Sequence, residues 1–164
     1  MKKTNVFMAL ILLMAICSAS AQGVAGAPAA TDLKFLTLEL GLPLGYRLSD
    51  GALVAGRAFG LNVAVADNFF VGFSTTQIGT AAPLTNYNTL RLSYTIMPLL
   101  GTSVFIGQAG ANTAAGLGLY STILQSKSTS GIGAALRLRI DYFFDTTAMA
   151  GGSVLFTTAI LFGV

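Results

Sequence analysis

Between Leu36 and Leu48 every even position is large and apolar: Leu36, Leu38, Leu40, Leu42, Leu44, Tyr46 and Leu48. The odd positions hold Thr37, Glu39, Gly41, Pro43, Gly45 and Arg47. Side chains leave a β-strand on alternate faces, so a period of two predicts a strand with one apolar face and one polar or crowded face. The same alternation recurs where Ile132, Ala134, Leu136, Leu138, Ile140, Tyr142 and Phe144 interleave with Gly133, Ala135, Arg137, Arg139, Asp141 and Phe143. A third stretch sets Leu90, Leu92, Tyr94 and Ile96 against Arg91, Ser93 and Thr95. In a softer segment Leu53, Ala55, Phe59, Leu61, Val63 and Val65 share a face with Arg57, which a position at a rim or beside a bulge would accommodate.

Turn-forming residues punctuate these runs at Ser49-Asp50-Gly51, Ala66-Asp67-Asn68, Gly79 to Asn88, Pro98 to Thr102, Gly110 to Ala115, Gln125 to Ser130 and Asp145-Thr146-Thr147. Seven connections predict eight strands, over 33–48, 52–66, 69–78, 89–97, 103–109, 116–124, 131–144 and 148–164. The fifth and sixth are the least distinct, because Val104 to Leu124 alternates weakly and is rich in Gly and Ala.

An open sheet with apolar faces this continuous would aggregate, and an open edge in lipid would leave backbone groups unsatisfied at several kcal/mol each. Closure into a barrel removes the edges. Membrane barrels use about 9–11 residues per strand and even strand numbers from eight upward, so a domain over 33–164 accommodates eight strands with short loops. The expected fold class is therefore all-β, an antiparallel up-and-down transmembrane β-barrel. A helical membrane protein is the main rival, since 92–126 and 146–164 carry no charge. However, Glu39, Arg91, Arg137, Arg139 and Asp141 fall inside apolar segments, where each would cost a lipid-embedded helix about 2.5–3.5 kcal/mol. A barrel turns them inward. A soluble β-sandwich is the remaining alternative.

The start of the chain adds a destination. Lys2 and Lys3 precede an apolar run from Val6 to Ile16 and then Ala19-Ser20-Ala21 before Gln22. That is the layout of a cleaved export signal over 1–21, followed by a Gly, Ala and Pro-rich lead-in over 22–32. The apolar run is shorter than the ~20 residues an anchor helix needs. Cys17 could be read as a lipoprotein cysteine, although Ile16 stands where a small residue is expected. Composition agrees with a membrane destination, at 54% hydrophobic and 9% charged. The net charge of +3 owes two units to Lys2 and Lys3, so no nucleic-acid partner is implied.

Candidate chemistry is sparse. The sequence has no His and one Cys, within the predicted signal, which leaves neither a zinc site nor a Ser-His-Asp triad; no catalytic site, metal or cofactor is expected. The polar constellation is a predicted lumen cluster of Glu39, Arg47, Arg91, Arg137, Arg139 and Asp141. Such charges would pair and fill a narrow barrel; alternatively, their positive excess could admit a small anion or the polar end of a hydrophobic solute. Gly110 to Gly118 lacks the Lys-Ser/Thr of a phosphate loop and predicts close strand approach or a bend. Tyr46, Tyr94, Tyr120 and Tyr142 lie near predicted strand ends, as an interfacial girdle or as scattered aromatics.

The export signal ending Ala19-Ser20-Ala21, the strand Leu136 to Phe144 followed by an Asp-Thr turn, and the alternating Val154, Phe156, Thr158, Ile160, Phe162 and Val164 resemble small bacterial outer-membrane barrels of the OmpW, OmpX and OmpA-barrel kind. Such proteins usually end in Phe, read by the outer-membrane insertion machinery, whereas here Val164 is last and Phe162 the nearest Phe. The resemblance implies an outer-membrane location, the bilayer and that machinery as partners, and, by similarity to OmpW, a narrow path for small hydrophobic solutes. A structural membrane component is the other expectation, and a surface adhesin or host-interaction protein the alternative. Both termini would lie on the periplasmic side, with Ser49-Asp50-Gly51 outside and Ala66-Asp67-Asn68 inside.

Overall fold

The computed structural model describes residues 35–79, 84–97, 99–126, 133–145 and 152–163. The export signal, the lead-in, Cys17, Val164 and the Asp-Thr turn after Asp145 lie outside them. Among the described residues eight strands follow one another: β1 (Leu36–Arg47), β2 (Leu53–Ala66), β3 (Phe69–Ile78), β4 (Thr85–Met97), β5 (Leu100–Ala109), β6 (Asn112–Ser126), β7 (Gly133–Asp145) and β8 (Gly152–Gly163). Each pairs antiparallel with the next, and β8 pairs with β1 to close the barrel.

Three strands extend beyond expectation by two residues or more, and β1 starts at Leu36 rather than 33. β4 begins at Thr85 rather than 89, β5 at Leu100 rather than 103, and β6 runs from Asn112 to Ser126 rather than 116–124. The added residues include Asn86, Asn88, Thr102 and Thr113, which read as turn or loop in isolation. Here their backbone groups are tied by ladders such as Gln77↔Asn86 and Gln108↔Thr113. Pairing demand on both flanks overrides weak local propensity. The stretch Gly79 to Asn88, expected to be the longest connection, thus gives four of its residues to β4.

The register sets the barrel's width. A walk across paired residues runs Leu36, Val63, Val71, Leu92, Val104, Leu117, Tyr142 and Val154, and returns to β1 at Tyr46, ten residues beyond its start. With a rise of ~3.3 Å per residue and strands ~4.8 Å apart, that stagger tilts the strands by about 40° and sets the backbone radius at about 8 Å. Once inward side chains are added, so narrow a cylinder is filled.

Every residue on that walk points outward and is apolar. Leu38, Leu40, Leu42, Leu44, Phe73, Leu90, Val104, Ile106, Leu117 and Phe162 are likewise exposed. The buried set is mixed, combining Val54, Ile78, Phe105, Phe143 and Leu155 with Glu39, Arg91, Arg139 and Asp141. Charges inside and hydrocarbon outside invert the arrangement of a soluble domain. Arg57 shares the outer face, as its alternation predicted; the nearest bulge lies between Ala64 and Ala66 and does not explain it.

Candidate functional site

Beside a small apolar cluster of Ala135, Ala159 and Leu161, two layers make up most of the described lumen. Toward the end that carries the β1–β2 and β5–β6 turns, Val54, Ile78, Tyr87, Phe105, Ala109, Ala114, Phe143 and Leu155 form an apolar plug. The Phe143 ring packs against Tyr87 and Phe105 with centroids 4.4 and 4.7 Å apart. Beneath the plug lies the ionic layer. Glu39 comes from β1, Arg91 from β4, and Arg137, Arg139 and Asp141 from alternate positions of β7, where the period of two aims all three inward.

Asp141 is the hub. It accepts Arg91 Nη1 at 2.8 Å and Nη2 at 3.1 Å, a bidentate pair across the barrel, and Arg139 Nε stands 2.6 Å from its Oδ2 without pointing its hydrogen along that line. Arg139 also donates through Nη1 to Glu39 Oε1, and Arg137 Nη1 lies 3.6 Å from Glu39 Oε2. Arg91 donates further to Ser103 Oγ at 2.8 Å and stacks over Phe105; Arg137 stacks over Tyr120. Arg91 and Arg139 are each 3% exposed and Asp141 1%. Three guanidinium groups facing two carboxylates leave one excess positive charge, spread over aromatic faces and hydroxyls.

Five of the six predicted lumen residues are therefore brought together. Arg47 is not among them. It occupies an inward position at the very end of β1, where the lumen meets the turn, and pairs with Asp50 at 3.0 Å with 36% of its side chain exposed. Parity placed it on the correct face, but the tilt of the strands carries the end of β1 above the ionic layer. Tyr120 is likewise corrected: it is buried in the lumen, its hydroxyl 3.0 Å from Thr95 Oγ1, while Tyr46 and Tyr94 face outward. Sequence reasoning missed Ser103 and Phe105, whose weakly alternating strand gave no sign of which face they occupied.

Glycine makes room for the network. A Cβ on Gly118 would collide with Asp141 Oδ1 and Ser103 Oγ, and one on Gly116 with the Phe105 ring. This is the close approach expected of the Gly110 to Gly118 stretch. Below the ionic layer, a void of ≈ 10 Å³ between Thr37, Asn62, Tyr120 and Arg137 has room for about one water. Thr37 Oγ1 and Arg137 Nε, both buried, have no hydrogen-bond partner.

The outer wall is uneven. On β7 and β1 the outward column stays apolar up to Phe144 and Tyr46, and on β8 Thr158 alone interrupts it below Val154. On β2 to β5 the corresponding end presents Arg57, Thr75, Gln77, Asn86, Asn88 and Gln108. Arg57 Nε donates to Gln77 Oε1 at 2.8 Å, and Thr75 Oγ1 to Asn88 Oδ1 at 2.9 Å. Counted along the ladder, Arg57 falls opposite Leu42, which at a tilt of ~40° and ~3.3 Å per residue puts it about 7 Å nearer the barrel's middle than Tyr46. A lipid-facing Arg costs about 2–4 kcal/mol at a bilayer's midplane and about 0–1 near its surface. The cost to Arg57 is therefore set by its surroundings on the outer wall.

A closed antiparallel barrel with charges inside and an apolar band outside is a transmembrane β-barrel. No protein-family model and no curated protein sequence matches the chain. Among solved structures, the crystal structure of Neisserial surface protein A (NspA) superposes with a TM-score of 0.57 at 14% identity, covering 80% of this chain and 98% of that one. A de novo designed transmembrane β-barrel gives a TM-score of 0.46 at 16% identity, over 78% of this chain and 95% of the design. At these identities the likeness is one of fold.

Proposed function

We propose that this chain is an exported, integral outer-membrane β-barrel that serves as a structural membrane component, with a closed lumen and no catalytic role. The observation that carries the reading is the cross-barrel network Glu39, Arg139, Asp141 and Arg91, capped by the ring stack Tyr87, Phe143 and Phe105. Each carboxylate there is held by two guanidinium groups, so nothing in that layer can swing aside without uncovering a buried charge. The export-signal pattern at the start of the chain and the fold shared with a neisserial surface protein support the outer membrane as its location. The bilayer and the insertion machinery are its partners, the latter reading the alternating last strand. Ser49-Asp50-Gly51 then faces outside and Ala66-Asp67-Asn68 the periplasm.

The test is reconstitution of the mature chain into planar bilayers and liposomes. The expected outcome is an absence of stepwise conductance and of accelerated flux of small apolar probes. Flux that disappears on changing Arg137 and Arg139 to Ala would overturn the closed lumen in favour of a solute path. Host-cell binding lost on replacing 79–88 would favour an adhesin instead.

A further inference from the structure

On the outer wall a groove of ≈ 520 Å³ is bounded by Leu40 and Leu42 of β1, Phe59 of β2 and Ile160 of β8, and reaches Arg57, Gln77 and Asn86 at its upper end. Its position follows from the ladder. Arg47 N donates to Ala52 O and Leu48 N to Gly152 O, so the odd-numbered amides of β1 face β2. Pro43 is an odd position without an amide hydrogen, and pairing of β1 with β2 is interrupted there, between Gly41↔Ala58 and Leu44↔Ala55. The backbone at Gly41 and Ala58, whose Cβ positions face the lumen, forms the groove's floor.

Arg57 closes the upper end. Its Nε is committed to Gln77, whereas its two terminal nitrogens have no partner and no carboxylate lies within ion-pair distance of it among the described residues. A guanidinium in this state, at the head of an apolar column on the outer wall, suits an anion that itself carries an apolar tail. The column from Arg57 down through Leu42 and Leu40 has that polarity.

We propose that this groove binds one acidic lipid of the surrounding bilayer, its anionic headgroup on Arg57 and the Gln77 and Asn86 amides, and an acyl chain along Leu42, Leu40, Phe59 and Ile160. The inference rests on the membrane reading above. The headgroup supplies the counter-charge that Arg57 lacks among the described residues, and the chain covers apolar wall where the β1–β2 ladder is broken. Selectivity resides in the headgroup, because any acyl chain satisfies the groove.

The test is native mass spectrometry of the folded, detergent-purified mature chain, with phosphatidylglycerol and phosphatidylcholine added in equal amounts, and inorganic phosphate in a separate sample. Heat-dependent gel mobility on each sample reports whether the barrel is formed, so loss of the fold is distinguished from loss of the lipid. The expected result is a one-to-one phosphatidylglycerol adduct favoured over phosphatidylcholine by about fivefold, the preference abolished in Arg57→Gln and retained in Arg57→Lys. Phe59→Ala weakens retention of both lipids. Equal binding of the two lipids, a preference unchanged in Arg57→Gln, or an equally strong adduct with inorganic phosphate would each overturn the proposal.

Discussion

At 1% exposure Asp141 accepts both terminal nitrogens of Arg91 and forms an ion pair with Arg139. Replacing Asp141 with Leu leaves Arg91 without a carboxylate, on Ser103 and the Phe105 face only, and leaves Arg139 with Glu39 alone, for which an unfolding loss of about 3–5 kcal/mol is expected. The double variant Arg91→Leu with Asp141→Leu loses less than Asp141→Leu by itself, because it removes the orphaned cation. Denaturant titration followed by far-UV circular dichroism checks both, as the chain contains no Trp. Two glycines separate space from backbone angle. Gly118→Ala pushes a methyl into Asp141 and Ser103 and is expected to cost about 1–3 kcal/mol. Gly110→Ala meets nothing within 4 Å and carries only the penalty of its φ of +61°, about 1 kcal/mol.

Among the elements, β1 contains the barrel's internal contradiction, a Pro in a strand paired on both sides. It is tolerated because the missing hydrogen belongs to the β2 side, where the groove lies, while Pro43↔Thr157 keeps the β8 ladder in register. Pro43→Ala restores a donor opposite Gly56. The expected outcome is slow exchange of the new amide in hydrogen–deuterium measurements and a gain of about 0.5–1.5 kcal/mol, one net hydrogen bond. Rapid exchange at that amide would show that the seam stays open without the proline. β7 is the complementary case: its inward positions Ala135, Arg137, Arg139, Asp141 and Phe143 supply both the ionic layer and part of the plug.

For the molecule as a whole, a stagger of ten residues over eight strands leaves a lumen that side chains fill, so stability and closure have one origin. Loosening the plug by Phe143→Ala removes the ring that touches both Tyr87 and Phe105. That variant is expected to unfold about 3–5 kcal/mol more easily while the ionic layer still blocks conductance. Planar-bilayer recording on the variant checks the second half of the expectation. Current through it would mean that the plug alone keeps the lumen shut.

Much of this was present in the chain before folding. The period of two in Leu36 to Leu48, Leu90 to Ile96 and Ile132 to Phe144 decided strand over helix and assigned Glu39, Arg91, Arg137, Arg139 and Asp141 to one face, because parity is a property of the backbone and needs no partner. It even placed Arg57 outside. What alternation cannot carry is height around a tilted cylinder. Whether Arg47 or Tyr120 meets the ionic layer, and whether Arg57 sits on a groove, depends on the ten-residue stagger and on which strand closes against β1. Boundaries in polar stretches such as Thr85 to Asn88 and Asn112 to Ala115 were equally beyond it, since residues that are indifferent in isolation become strand when both neighbours require their hydrogen bonds. The alternation determined the faces; the closure of the barrel decided the meetings.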